Sequence, residues 1–588
     1  MPHALADETL HLDVAIIGAG WYGLKAASTL LTLAPDTTIA IFDKYSSAGG
    51  TWCRDRIYPN LVAQVEFGYF NYPSASMSQD GKTENNLVSG DMICRYLEKF
   101  AEDNDLNRHI RYSSWISSVE RGSDGCGWVL NVNGQRVEAA KLICATGVTT
   151  QTNAPGFTVL DDSIPVKHVV TLAQEVATFR DVTNKLEHFV LVGAAKSAYD
   201  AAYLLCSLGK KVTWLIREDG SGPMPIMPDK ILGNNTITMG TTRLMSNLSP
   251  SLMTTDTTLG AFFHRTWLGR WLTTSAWGYL SSQADKAAGF GGAAGRTEPL
   301  KPQIKDNSAF WCDSSLGIIT MEDFWSTLRN ANLTILRDSI DTADSTGVNL
   351  VSGSRVDADY VIYATGWGDH FSFFSPELKS ELGIPRYDDP ASSGTSDNTP
   401  KEKRLGGILS DPWHFHDRAA DEVVAKKLPL LSAGPKDFDG WKRSAVRAKA
   451  VKTRRWRLYN RMVPLDGGLD DRSIVILGQI HTTQTPTIAE IQALWAAAYL
   501  LGEICLPSEP DMVREIAEWN AWTRKRYASV GERYPYALFD WVPYLDCLLR
   551  DLNLKTNRYD GVLADFFRPY GPHCYQNIVG EYMTARKN

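Results

Sequence analysis

Residues 14–23 read VAIIGAGWYG, and the rest of the chain is organised around this stretch. Four apolar residues, 14–17, run into Gly18-Ala19-Gly20. A third glycine follows at Gly23, and the residues after it carry apolar side chains at helical spacing. The expected unit is a buried strand, a tight turn and a helix. Gly18 makes the turn, Gly20 lets a pyrophosphate approach the backbone, and Gly23 lets the helix lie against the strand. Unpaired amides and the positive dipole end at the helix N-terminus would then hold the phosphates. A second strand ends in Asp43 and Lys44, with Asp43 placed 25 residues after Gly18. That is about where an acid accepting from ribose hydroxyls belongs in a dinucleotide site, and Lys44 beside it is counted among the contacts.

The same design returns at residues 188–200, HFVLVGAAKSAYD, with alanines where two of the glycines stood. Its partner strand, KKVTWLIRE, carries Arg217 24 residues after Gly193. An acid at this position accepts from free ribose hydroxyls, whereas an arginine neutralises a 2′-phosphate. The first unit is therefore read as an FAD site and the second as an NADPH site, with Gly193, Lys196, Ser197 and Arg217 as its contacts. The fold class that follows is α/β: two Rossmann-like dinucleotide-binding domains with parallel sheets, a helical insertion and a helical C-terminal tail. The expected division is an FAD domain over 1–155, an NADPH domain over 156–365, an FAD return segment over 366–506 and a tail over 507–588.

Composition excludes several classes. The chain has 588 residues, 44% apolar and 22% charged, with a net charge of −7, so a polyanion-binding surface is not expected and nucleic acid is not a partner. No run of about 18 apolar residues occurs, so no membrane span is expected. The N-terminus has neither a basic start nor an apolar core, and no signal peptide is read there. Nine scattered cysteines form no CxxC or metal-type cluster, which fits reduced thiols in a cytoplasmic protein with no metal site.

Further candidates lie along the chain. Residues 48–52, AGGTW, offer Gly50 and a bare backbone against a flat cofactor, Thr51 as a donor, and the indole of Trp52. The strand into residues 144–149, CATGVT, returns the chain to the crevice at Thr146 and Gly147. The last strand of the FAD domain, residues 474–478, leads into a loop with Gln479, His481, Thr482 and Gln484, of which Gln479 and Thr482 are taken as cofactor contacts. The insertion, at about 219–307, holds Trp267, Trp271 and Trp277, and a packed core helix is the favoured reading. A tunnel-lining helix and a membrane-surface helix stand behind it. Residues 387–403, rich in Pro, Ser and charge, read as a mobile surface loop. The tail has no assigned chemistry.

These motifs, with YATGW at residues 363–367, resemble the flavin-containing monooxygenases, including the class B group with its Baeyer–Villiger enzymes and N-hydroxylases, and in particular a long fungal branch of secondary-metabolite pathways. The resemblance implies bound FAD, NADPH as reductant and O2 as co-substrate, with one oxygen atom passed to a small, apolar or aromatic organic substrate. Of the fingerprint F-x-G-x-x-x-H only His168 is matched, with Asp162, Ile164 and Leu172 departing from it. The segment after Trp52 is similar to heteroatom-oxidising members, and Gln64 falls where they carry an asparagine beside the flavin. Gln64 is thus the candidate catalytic residue, a carboxamide able to position the oxidant. Hydroxylation, epoxidation and heteroatom oxidation are expected ahead of Baeyer–Villiger insertion. A rival from another class is an FAD-binding scaffold without turnover. A disulfide reductase would need a second cysteine near Cys53, and none follows.

Overall fold

In the computed structural model, which describes residues 9–161, 163–290, 297–319, 321–385, 413–435, 455–465 and 471–587, the opening stretch forms the expected unit. Residues 1–8 and the 387–403 loop lie outside the described residues. Strand β1 (Leu10–Ile17) is buried over its apolar second half, and α1 (Trp21–Leu33) starts directly after Gly20. Strand β2 (Ile39–Phe42) pairs in parallel with β1 and with the short β3 (Ile110–Arg111). The alternating residues beyond form an antiparallel ribbon of β4 (Ile116–Arg121), β5 (Trp128–Val132) and the first half of β6 (Gln135–Cys144). From Val137 onward β6 also runs parallel to β1, so the sheet order is β3-β2-β1-β6-β5-β4.

A second, wholly parallel sheet contains β7 (Val166–His168), β8 (His188–Val192), β9 (Lys211–Leu215), β10 (Leu333–Leu336) and β11 (Tyr360–Tyr363), in the order β7-β11-β8-β9-β10. Helix α2 (Lys196–Ser207) connects β8 to β9, as α1 connects β1 to β2. Between β9 and β10 stands the helical insertion, with α3 (Thr258–Arg265) and α4 (Trp267–Ala288). The expected packed tryptophan face is only partly there. Trp277 is buried, whereas Trp267 and Trp271 face solvent, because α4 packs through its opposite side.

The chain then returns to the first sheet. Strand β12 (Ile474–Ile476) pairs in parallel with the end of β6 and leads into α5 (Thr485–Leu500), which is buried on every side and correspondingly rich in apolar residues. Helix α5 packs on α1, and a buried ion pair joins them: Lys25 Nζ lies 2.7 Å from Glu490 Oε1, while Ser74 Oγ donates to Glu490 Oε2 at 2.8 Å. Removing one partner would strand a buried charge, so the pair locks the helix that starts at the glycine loop. The tail is helical, with α6 (Glu509–Arg526) and α7 (Trp541–Asp551) closing over α5 and the insertion. Among the described residues no helix is long and apolar enough to cross a membrane.

Candidate functional site

The two strand–turn–helix units close with the same bonds. Gly18 N–H donates to Phe42 O at 2.8 Å, and Gly193 N–H to Leu215 O at 3.1 Å. Ala145 N–H donates to Ile17 O at 2.8 Å, and Ala364 N–H to Val192 O at 2.7 Å. Both neighbours belong to an Ala-Thr-Gly turn, residues 145–147 and 364–366. Each loop glycine sits at positive φ, 106° for Gly18 and 140° for Gly193, where a Cβ would meet the carbonyl of Ala145 at 2.5 Å or of Ala364 at 2.6 Å. Only glycine fits either place. Gly23 acts through close approach instead. A Cβ there would stand 1.8 Å from Gly18 O, so its absence is what lets α1 come up to the loop.

A cleft of about 290 Å³ opens along the first unit. Gly18, Gly20 and Gly50 form its bare floor, and Gly50 rests on Gly20 so closely that a Cβ on Gly50 would lie 3.2 Å from the Gly20 Cα. Gly49 N–H donates to Ala19 O at 2.9 Å, which docks the 48–52 segment on the glycine loop. Asp43 lies at one wall, almost wholly buried, its Oδ2 accepting from Ala19 N–H at 2.6 Å and its Oδ1 from Tyr45 N–H at 2.9 Å. Burial pushes its carboxyl upward, and the two amides pull against that shift. Lys44 Nζ donates to Thr150 O at 2.6 Å, and burial lowers its ammonium pKa. Thr51 Oγ1 is 2.7 Å from Thr149 Oγ1, and Trp52 stacks edgewise on Phe70. Thr146, Gly147 and Thr482 complete the predicted residues that line the cleft.

Gln479 is buried beside the cleft without lining it, and neither it nor Gln484 has a protein partner for any carboxamide atom. Buried amides left unpaired cost on the order of 1–3 kcal/mol each, so they mark where hydrogen bonds to a bound group or to water are made. The side-chain-free floor, the acid at the strand end and these open carboxamides together fit a dinucleotide.

In the second unit Lys196 pairs with Asp200, Ser197 lies in the first turn of α2, and Arg217 is half exposed, 3.7 Å from Asp219. The segment after Arg217 lies over the loop: Met224 N–H donates to Ala194 O at 3.0 Å, and a Cβ on Gly222 would strike the Ala194 Cβ at 2.3 Å. Gln64 is on the strand Val62–Glu66 and does not line the first cleft. Its Oε1 accepts from Ile318 N–H at 2.7 Å, so the carboxamide is tied to the chain beyond the insertion. Cys53 is fully buried and its thiol is pushed up to about 12, a thiol and not a relay thiolate.

Sequence reasoning missed three features. His370 lines the cleft, 3.1 Å from Thr150 Oγ1, with its Nε2 buried and unpartnered and its pKa lowered by burial to about 4. Its place three residues after the YATGW motif was the available signal. Arg56 donates to Thr149 O at 3.0 Å and lies over the Trp367 ring. The tail holds the loop of the first cleft: His481 N–H donates to Pro535 O and Ala537 N–H to His481 O, both at 3.0 Å. Further along, Gly478 N–H donates to Gln492 Oε1, whose amide is fixed by Tyr544 of α7. Burial keeps His481 neutral, its pKa lowered to about 4.

Two family models match, one described as pyridine nucleotide-disulphide oxidoreductase over residues 15–232 and one as flavin-binding monooxygenase-like over residues 444–571. The chain is 35% identical to the FAD-dependent monooxygenase DEP4 of Fusarium langsethiae, over 98% of this chain and 95% of that protein. It is 32% identical to the FAD-dependent monooxygenase resA of Aspergillus sclerotiorum, with 98% of each chain covered. In fold it is similar to an open structure of cyclohexanone monooxygenase, with a TM-score of 0.56 at 15% identity, over 92% of this chain and 98% of that one. A steroid monooxygenase solved with NADP gives a TM-score of 0.54 at 17% identity, with 98% of each chain covered.

Proposed function

The chain belongs to the FAD-dependent monooxygenases, and from that premise we propose that it takes NADPH at its second loop and adds one oxygen atom from O2 to a small apolar or aromatic substrate of a fungal secondary-metabolite pathway. The observation that carries the reading is the pair of loops closed by the same bonds, one ending at a buried acid and the other at an exposed base. Full-length likeness to fungal relatives supports the pathway setting.

Bound FAD supplies the redox chemistry and the activation of oxygen. The chain's own residues hold and shield it. Gly18, Gly20 and Gly50 leave room for the pyrophosphate, while Asp43 receives the ribose hydroxyls on the lone pairs its two amides leave open. Lys44, Thr51, Trp52, Thr146, Gly147 and Thr482 line the remainder, and Gln479 offers an open carboxamide from behind the loop. His370 and His481 stay uncharged near neutral pH, so neither brings a cation to the cleft. Residues 535–537 brace the loop that carries Ile480 and Thr482 and keep water from that side. At the second loop Gly193, Lys196 and Ser197 take the phosphates and Arg217 the 2′-phosphate. Gln64, its Oε1 held by Ile318, is the residue to which we assign positioning of the oxidant.

Hydroxylation, epoxidation or heteroatom oxidation is our assignment. The Baeyer–Villiger reading draws on His168, whose ring packs against Tyr363 and Trp367 at 5.2 and 5.0 Å. The test is anaerobic addition of NADPH to the FAD-loaded protein, followed by isotopically labelled O2 and a panel containing an alkene, a sulfide, an amine and a ketone. The flavin colour should bleach, and one labelled atom should enter an alkene, sulfide or amine product. A labelled ester or lactone would select the Baeyer–Villiger reading, and a flavin that NADPH does not bleach would leave a non-catalytic scaffold.

A further inference from the structure

Helix α4 is built inside out. Its buried positions are Gly269, Thr273, Trp277, Ser281, Ala284 and Ala288, mostly small or polar, while its solvent side carries Trp267, Leu268, Trp271, Leu272 and Tyr279. Trp267 is 76% exposed, Trp271 58% and Tyr279 42%. Positions 267, 271, 275 and 279 recur every four residues, so the aromatic rings lie along one line of the helix. A surface helix that served folding alone would place its bulky apolar side chains inward. Leu259, on the preceding α3, adds a further exposed apolar side chain.

Within α3 and the outward turns of α4 the charge has one sign. Residues 257–284 contain no Asp or Glu, in a chain with 67 acidic and 60 basic residues. Arg265 and Arg270 stand within the stretch, and Lys427 meets the same Asp256 that faces Arg265, at 3.3 and 3.5 Å. At that edge Asp256 and Glu518 stand against Arg265 and Lys427, which leaves Arg270 as the excess cation. His264, on the same element, is buried and its pKa is lowered to about 4, so it adds no charge near neutral pH.

We propose that the outward face of α3 and α4 docks on an anionic lipid bilayer, with the Trp and Tyr rings at headgroup level, the leucines below them and the arginines on the phosphates. Amphipathic aromatic rings are suited to that boundary, and basic residues beside an apolar face add attraction to anionic lipid. The helix would lie on the surface, since no helix among the described residues crosses a membrane. The proposal does not depend on which bond the enzyme oxidises.

Flotation of the FAD-loaded full chain tests it, with vesicles of phosphatidylcholine alone and of phosphatidylcholine mixed with phosphatidylserine. The wild type floats with the mixed vesicles and much less with the neutral ones. Trp267→Ser combined with Trp271→Ser lowers the partition by on the order of tenfold or more, with FAD content and flavin reduction by NADPH unchanged because both side chains are exposed. Arg270→Gln weakens binding only to the mixed vesicles. Equal flotation of wild type and double variant would overturn the proposal. So would a wild type that ignores vesicles but forms a dimer that the double variant dissociates, since a second copy would then cover the face.

Discussion

The first and second loops share a backbone plan and differ in where the charge at the end of the partner strand sits. Asp43 is 6% exposed and holds the amides of Ala19 and Tyr45, so the acid is part of the loop's own construction. Arg217 stands half exposed at the surface, 3.7 Å from Asp219. The first site is thus continuous with the core, where α1 is pinned to α5 by Lys25 and Glu490. The second is a surface feature on an equivalent scaffold. A cofactor that stays bound suits the first arrangement, and a reductant that must come and go suits the second.

The most severe way to break the comparison is to give the first loop the residue that the second tolerates. Ala198 occupies in α2 the place that Gly23 holds in α1. Gly23→Ala would drive a Cβ to 1.8 Å from Gly18 O, at the upper end of overpacking costs, ~3 kcal/mol or more. The purified variant should be colourless and unfold at lower temperature, as flavin absorbance and thermal scanning would report. A yellow variant of unchanged stability would show that the loops are less distinct than described.

Asp43→Ala should come next. It leaves two buried amides without an acceptor, each worth about 1–3 kcal/mol. FAD affinity should fall ~10- to 100-fold, measured by titrating FAD into apoprotein, and thermal stability should fall with it. A loss of affinity with no loss of stability would mean that the acid serves the ligand alone.

The pH response sharpens the same contrast, since each unit carries a buried neutral histidine. His370 lines the first cleft and His168 stands beside Trp367 near the second turn, each with its pKa lowered to about 4 chiefly by burial. A folded pKa below the unfolded value means that stability is present above about pH 6.5 and is lost as pH falls toward 4. For His370 the loss amounts to roughly 3 kcal/mol when complete. Melting temperature against pH should show the decline, and His370→Gln should flatten part of it.

Gln64→Ala should give the smallest effect. Its carboxamide meets Ile318 and not the glycine loop, so FAD content should hold while more NADPH is spent on hydrogen peroxide, read as the ratio of peroxide formed to NADPH oxidised. Unchanged coupling would remove Gln64 from the site.

Much of this was legible in the sequence because it depends on local backbone chemistry. Gly18 and Gly193 announce a turn that only glycine can make, and the spacing to Asp43 and Arg217 follows from strand and helix length. The antiparallel ribbon was visible in its alternation. What stayed hidden involves partners far apart in the chain. Tyr536 against His481 and Tyr544 fixing Gln492 carry no motif, so the tail's hold on the first cleft could not be read. Gln64 was aligned by family pattern, which does not foresee its bond to Ile318. The face of α4 misled because aromatic residues at helical spacing usually point inward, and only the packing of Gly269 and Thr273 reverses it.

The central claim is that the base at the second loop selects the reductant and does nothing for FAD. It is tested most directly by anaerobic flavin reduction with NADPH and with NADH, in the wild type and in Arg217→Ala, alongside FAD content. We expect a wild type reduced far better by NADPH, and a variant that keeps its FAD but loses ~10- to 100-fold in NADPH affinity, the worth of a charge-assisted phosphate contact. A wild type indifferent to the 2′-phosphate, or a variant that emerges without FAD, would contradict it.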